Sequence, residues 1–349
     1  DDFMLVREAL NSKCDIIRFG SEFCEHKLPN LKMLKKAFEL SCEKGKKFKY
    51  VTPRVSNAGV RKLRKHLAYL NELEEEIDVV VSINKKFEKD FIEWKKTLKR
   101  KIKLFVEEAK ENKEKLGAVG ALNYFIQKEK IKDDLLVIGG DNYFELSLQD
   151  FLASCNNRPV IALYDVHEKD KAKEYGVATL EGRKIVKLEE KPQNPTTTLI
   201  STAIYFLPCA CFRHLNDFCF AGKPDNLGEF FAYLIKKENV LGWQFDGLWF
   251  DIGNFKSYLE AHIKTVKGII KGKKVKIVNS SLSGSVFIGQ KARIVNSLIK
   301  NSIIMNSSIV EDSFIENSIV DTETVVKNSK LNFELIPRGA FVVNNEYKR

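Results

Sequence analysis

The sequence predicts an α/β domain on an open, mostly parallel sheet, followed by a parallel β-helix. Three observations carry that expectation. From Ile77 onwards, buried-strand runs such as Leu135-Leu-Val-Ile138 alternate with helical patterns. One hairpin, Gly176–Leu180 with Lys184–Leu188 across Glu-Gly-Arg, interrupts the alternation. Beyond Gly272, the pairs Ser297-Leu, Ser302-Ile, Ser308-Ile, Ser313-Phe and Ser318-Ile recur every five or six residues, a period too short for a sandwich.

The 349 residues suffice for two or three domains, each with its own core. An apolar content of 44% and a mean hydropathy of −0.25 are those of a globular protein. No apolar run reaches the roughly 18 residues of a membrane span and no signal peptide opens the chain, so a cytoplasmic protein without a membrane partner is expected. The seven cysteines are odd in number and scattered, which points to reduced thiols. Neither Cys209 with Cys211 nor Cys24-Glu-His26 has the spacing of a zinc site. A net charge of +11 suits anionic partners. Lysine is mixed with glutamate, as in Glu107–Lys115, and no nucleic-acid motif accompanies it. Phosphorylated small molecules therefore explain the charge at least as well as nucleic acid, and no nucleic-acid partner is expected.

In order, residues 1–76 read as a β-α-β-α block of uncertain origin. Its strands are Cys14–Phe19 and Phe48–Thr52, and its helices Leu31–Glu43 and Ser56–Glu76. The α/β domain is expected over 77–270. Its strands are Ile77–Ser82, Ile102–Val106, Leu135–Ile138, Val160–Tyr164, the hairpin and Thr198–Phe206. Its helices are Glu88–Leu98, Gly117–Gln127, Leu146–Ser154, Gly228–Lys237 and a closing one from Phe255 to Val266. The β-helix is expected over 271–349, with aliphatic residues inward and Asn or Asp before Ser at the corners. Ile303, Ile304 and Met305 are consecutive, so at least one should face outward and suggest a contact in a homo-oligomer.

The candidate site begins where the Leu135 strand runs into Gly139-Gly140-Asp141-Asn142. A carboxylate past the C-terminal end of a buried strand lies where open α/β sheets bind ligands, and the glycines admit close approach. The same residues also suit an ordinary turn. Glu190 and Lys191, at the hairpin end, read in isolation first as an ion pair, although a lysine point charge there would also suit a phosphate.

From Ile77 to about residue 330 the chain resembles the sugar-1-phosphate nucleotidyltransferases, especially glucose-1-phosphate thymidylyltransferase-like members with a left-handed β-helix tail. Gly140-Asp-Asn142 resembles their Gly-Asp-Asn motif, Tyr175-Gly-Val177 their sugar-contacting segment, and Glu189-Glu-Lys-Pro192 their Glu-Lys-Pro motif. Thr202-Ala-Ile-Tyr205 resembles the Thr-Gly-Ile-Tyr strand with Ala203 in place of glycine, and Trp249-Phe-Asp-Ile-Gly253 the motif of the second metal ligand. The resemblance implies a nucleotide-diphospho-sugar transferase-like fold in which Asp141 and Asp251 hold Mg²⁺. It implies that Lys191 binds the sugar phosphate and Glu190 the sugar hydroxyls. It further places Gly117, Gly140, Asn142, Tyr175, Gly176, Thr202, Tyr205 and Trp249 around the substrates. Gly117-Ala-Val-Gly-Ala-Leu122 keeps the glycines of a base-contacting segment but lacks its threonine. The family's Gly-Gly-x-Gly-Thr-Arg-x-Arg-Pro loop for the triphosphate has no counterpart in residues 1–76; Gly59–Arg64 offers one glycine and two arginines.

The implied activity joins a sugar 1-phosphate, glucose 1-phosphate first among candidates, to a nucleoside triphosphate, releasing pyrophosphate. The missing loop leaves a second expectation open, a non-catalytic protein that binds a sugar phosphate or nucleotide sugar.

Overall fold

The computed structural model describes residues 48–55, 77–96, 98, 101–107, 117–222 and 226–348. The expected strand Cys14–Phe19, both helices of the first block and Gly59–Arg64 lie outside them. The described residues fall into two compact units that meet in sequence between Trp249 and Phe250.

The first unit carries strands β1 (Phe48–Val55), β2 (Ile77–Asn84), β3 (Ile102–Glu107), β4 (Leu135–Ile138), β5 (Asn142–Phe144), β6 (Val160–Asp165), β7 (Gly176–Glu181), β8 (Lys184–Glu190), β9 (Leu199–Leu207) and β10 (Leu241–Gln244). Nine of them form one sheet in the order β3-β2-β1-β4-β9-β6-β10-β8-β7. β1 runs parallel to both β2 and β4, whereas β9 runs against β4 and β6, and β8 against β10. Seven of the nine strands thus point the same way, as an open α/β sheet requires. β8 and β9 are reversed, so the sheet is mixed: parallel over β3-β2-β1-β4 and largely antiparallel beyond. It also reaches further towards the N-terminus than a domain starting at Ile77 would allow, because Phe48–Val55 is an interior strand of it. Pro53 has no N–H for the ladder, and the register with β2 breaks between Thr52 and Val55.

Helices α1 (Glu88–Lys96), α2 (Gly117–Glu129), α3 (Leu148–Ala153), α4 (Lys169–Ala172), α5 (Phe212–Phe220) and α6 (Leu227–Leu234) complete this unit. One core joins Val119, Leu122 and Phe125 of α2 and Leu215 and Phe218 of α5. It continues through Phe230, Phe231 and Leu234 of α6 to strand residues Leu135, Val137, Ile161 and Leu163. Strand order reverses beside β1: β2 lies on one side and β4 on the other, and β1 and β4 are parallel. That is a topological switch point, and the chain leaving β4 there is Gly139-Gly140-Asp141.

The second unit holds helix α7 (Phe255–Thr265) and short strands from Ile269–Lys271 to Glu346–Lys348. The helix expected to close the α/β domain thus belongs with the β-helix. Its buried His262 lies with Nε2 3.0 Å from Ser285 O, and the Ser285 hydroxyl donates to Val266 O at 2.7 Å and Ile263 O at 3.1 Å. Three parallel stacks of strands form the β-helix, with interior ladders such as Ile294-Val310-Val326-Val342 and Ile299-Ile315-Leu331.

The Asn-Ser corners have a physical explanation. Asn279, Asn296, Asn301, Asp312, Asn317 and Asn328 all take positive φ, between 45° and 48°. Asn and Asp are the non-glycine residues that tolerate this conformation best. The serine that follows donates its hydroxyl to the chain two residues back, as Ser313 does to Glu311 O at 2.7 Å. The same hydroxyl accepts an N–H from the next coil: Ser329 N donates to Ser313 Oγ at 3.0 Å and Ser318 N to Ser302 Oγ at 3.0 Å. Each corner thereby satisfies buried polar groups within the stack.

The expectation for Ile303, Ile304 and Met305 is corrected, because all three are buried. Their strand has two residues: Ile304 joins the interior ladder, and Ile303 stacks in a second row with Phe287 and Ile319, which are buried too. The argument for a subunit contact from these three residues falls with it.

His262 makes the second unit acid-sensitive. Facing a carbonyl, Nε2 must carry the proton, and Nδ1 is buried without a hydrogen-bond partner. Burial lowers the pKa from 6.5 to about 4. The unfolded chain therefore takes up the proton first, and stability falls as pH drops from about 6.5 towards about 4. The expected loss from this group is about 3 kcal/mol, with a levelling below that window. Unfolding of the wild type and of His262→Phe across pH 7 to 4 measures it; an unchanged slope in the variant would contradict the assignment.

Candidate active site

At the end of β4, Gly139 N–H donates to Ala203 O at 2.7 Å, tying the exit loop to β9. A Cβ at Gly139 would meet the Asn142 side-chain nitrogen at 2.9 Å and Ala203 Cβ at 3.0 Å, so the loop folds this tightly only with glycine there. Asn142 is buried and braces the loop. Its amide nitrogen donates to Gly139 O at 3.1 Å and lies 3.4 Å from Asp141 Oδ1, while its oxygen accepts the Trp249 indole N–H at 2.7 Å. Gly140, also buried, leads into Asp141, which is partly exposed.

A second brace involves Glu145, which belongs to none of the motifs. Its N–H donates to Leu248 O at 2.8 Å, its Oε2 accepts Leu248 N–H at 3.2 Å, and its Oε1 accepts the Tyr143 hydroxyl at 3.0 Å. A Cβ at Gly247 would stand 1.9 Å from Glu145 O, so only glycine lets these segments run together. The partners are 103 residues apart, and no local pattern announces them.

From Trp249 the site continues to the hairpin. The Tyr175 ring lies edge-on to Trp249 at 5.2 Å, and Tyr175 O accepts the Lys191 N–H at 3.0 Å. Gly176 pairs with Glu190 across β7 and β8. Lys191 itself takes φ +46°, a conformation that costs an ordinary residue about 1–2 kcal/mol. Its side chain is exposed and makes no ion pair among the described residues. Glu190 is open to water on one side and crowded on the other. Desolvation raises its pKa, with Lys191 opposing and Glu229 adding to the rise. The simple ion-pair reading of Glu190 with Lys191 is thus not what the side chains adopt.

Asp141, Asn142, Trp249, Tyr175, Gly176, Glu190 and Lys191 form one connected run of contacts and neighbours. Two of the residues expected beside them point elsewhere. Thr202 is fully buried and donates its hydroxyl to Ala162 O at 2.8 Å, filling a bulge where β9 loses register with β6 between Ile161 and Leu163. Tyr205 stacks on Phe231 at 4.6 Å in the core, where burial raises the pKa of its phenol. Gly117 opens α2 with φ +73°. Asp251 belongs to the second unit, where its Oδ1 accepts the Gly253 N–H at 2.9 Å.

Ala203 also sits in the bulge, with φ +56°. Glycine adopts this conformation freely, which accounts for the glycine in the motif it resembles. Ala203→Gly should remove about 1–2 kcal/mol of strain and lose about 0.5–1 kcal/mol to unfolded-chain entropy. The expected result is a melting temperature ~1–3 °C higher by calorimetry. A lower one would mean that the bulge tolerates alanine without strain.

The donor chemistry fits a hard divalent cation. Asp141 and Asp251 each have an oxygen facing an N–H donor, from the Asn142 amide and the Gly253 backbone respectively. Such contacts orient metal-binding carboxylates. Among the described residues no three His, Cys, Asp or Glu side chains gather. Mg²⁺ commonly uses only one or two carboxylates, with phosphates and water completing its shell.

Residues 40–268 match the family described as Nucleotidyl transferase. The chain belongs to that family. Family members generally work with a divalent metal. It is 32% identical over 176 residues, 48% of its length, to the "Bifunctional protein GlmU" of Methanococcus aeolicus. It is 24% identical over 181 residues, 52% of its length, to a Sulfolobus acidocaldarius protein provisionally assigned as a mannose-1-phosphate guanyltransferase. The chain spans 40% and 47% of the length of these relatives. Its fold is also that of a Bacillus anthracis protein provisionally assigned as a glucose-1-phosphate thymidylyltransferase, solved in complex with a sucrose. That likeness has a TM-score of 0.50 and 17% identity, and covers 62% of this chain and 93% of the other. Among the described residues no helix is long and apolar enough to cross a membrane.

Proposed function

We propose that this nucleotidyl transferase family member joins a sugar 1-phosphate to a nucleoside triphosphate, giving a nucleoside-diphosphate sugar and pyrophosphate. The observation that carries the reading is the unbroken run from Asp141 through Asn142, Trp249 and Tyr175 to Lys191. It joins a strand-end carboxylate at the switch point to a lysine at the hairpin end that makes no ion pair among the described residues. An oxygen of the sugar phosphate attacks the α-phosphorus in line, and pyrophosphate leaves. No side-chain nucleophile is needed, so orientation and charge neutralisation supply the rate. Lys191 holds the sugar phosphate as a point charge. Glu190 accepts hydrogen bonds from sugar hydroxyls, and the Gly176 backbone lines the ring. Asn142 and Trp249 act behind them, fixing the loop that carries Asp141. Asp141 would hold Mg²⁺, which when bound neutralises the charge of the phosphates.

The test mixes the full chain with Mg²⁺, glucose 1-phosphate or mannose 1-phosphate, and each nucleoside triphosphate in turn. Pyrophosphate release that requires both substrates is expected. Binding of the sugar phosphate without release under any combination would instead make the protein a binding homologue.

A further inference from the structure

Glu190 occupies a slot between two glycines from separate elements. Gly176 is its cross-strand partner on β7, and a Cβ there would lie 3.0 Å from Glu190 Oε2. Gly228 is the second residue of α6, and a Cβ there would lie 2.4 Å from the same oxygen and 3.5 Å from Glu190 Cδ. Real Cβ atoms do not approach an oxygen as closely as 2.4 Å. The helix is otherwise well begun without glycine: Asn226 caps it, its Oδ1 accepting Glu229 N–H at 2.7 Å. Gly228 has a negative φ, so backbone conformation does not demand glycine. Glycine within a helix is unfavourable by about 0.5–1 kcal/mol relative to alanine. What position 228 requires is empty space, and Glu190 fills it.

We infer that Gly228 is a positioning residue for sugar binding, which it serves by seating the Glu190 carboxylate. With no side chain at 228, the carboxylate rests against the first turn of α6, beside Asn226 and Glu229, and its open side faces the substrate. Any side chain at 228 turns it out of that orientation. This rests on the reading of Glu190 as the acceptor for sugar hydroxyls, and the experiment separates the two.

The experiment is a double-mutant cycle of Gly228→Ala and Glu190→Ala, read by melting temperature and by calorimetric titration with glucose 1-phosphate. Gly228→Ala in the Glu190→Ala background should raise the melting temperature by ~1–3 °C, the ordinary gain of alanine over glycine in a helix. Gly228→Ala alone should raise it less, because the Glu190 carboxylate must then shift. An equal effect in both backgrounds would show that Glu190 does not fill the slot and would overturn the inference. In titration, each single variant should weaken glucose 1-phosphate binding about tenfold or more, and the pair no further. If Glu190→Ala leaves binding unchanged, the assignment of Glu190 to the sugar fails. If Glu190→Ala weakens it and Gly228→Ala does not, the positioning role fails and the assignment of Glu190 stands.

Discussion

Replacing Asp141 with asparagine should lower turnover by ~10³-fold, equivalent to about 4 kcal/mol of transition-state stabilisation, with the melting temperature moved by no more than ~2 °C. The asymmetry follows from the local geometry. An asparagine keeps the Oδ1 that faces the Asn142 amide, so the loop after β4 keeps its contacts with Ala203 and Trp249. What is lost is the negative charge. Pyrophosphate release at saturating substrates and a range of Mg²⁺ concentrations measures the effect. Full turnover in the variant would remove this carboxylate from the metal.

Lys191→Ala should weaken sugar-phosphate binding ten- to a hundredfold and leave nucleoside triphosphate binding within about twofold. A charge-assisted contact of this kind contributes about 1.5–3 kcal/mol. The side chain is exposed, has no ion-pair partner among the described residues, and leaves a backbone held by Tyr175 O. Its loss removes the charge that opposes the Glu190 pKa rise but breaks no side-chain hydrogen bond among the described residues, so the fold should be little affected. Separate titrations with the two ligands distinguish this from a general loosening of the hairpin; equal weakening of both would favour the latter.

Much of the architecture was legible because its signals are local. β4 is a four-residue apolar run, buried throughout. The hairpin is marked by Gly182, which takes φ +59°. α6 has Asn226 and Glu229 in capping positions. Where local signals are missing, elements were missed. α5 begins at Cys211 with no side-chain cap, so nothing marks its start, although Leu215 and Phe218 are buried. β10 is short and contains Gly242, which packs where a Cβ would strike Leu163 and Leu180. In the site, the chemistry-bearing residues were legible as motifs, but their division of labour was not. Asn142 and Trp249 brace, and Thr202 fills a bulge. Each depends on a partner at least 40 residues away, Ala162 for Thr202 and Trp249 for Asn142. The reach of a hydrogen bond across such a separation is a property of the folded sheet, not of any stretch of chain.

The corner serines of the β-helix have an evolutionary consequence. Ser297 to Ser313 and Ser313 to Ser329 are each 16 residues apart, as are Ser302 and Ser318. Removing Asn301–Glu316 would join Lys300 to Asn317, and a corner of the same Asn-Ser-Ile type would follow the splice. Every ladder would be one rung shorter and otherwise in register. Removing five residues instead would shift the ladder residues and the corner positions of every later coil out of step. Insertions and deletions in this segment are thus quantised, and its relatives should differ in length by whole coils.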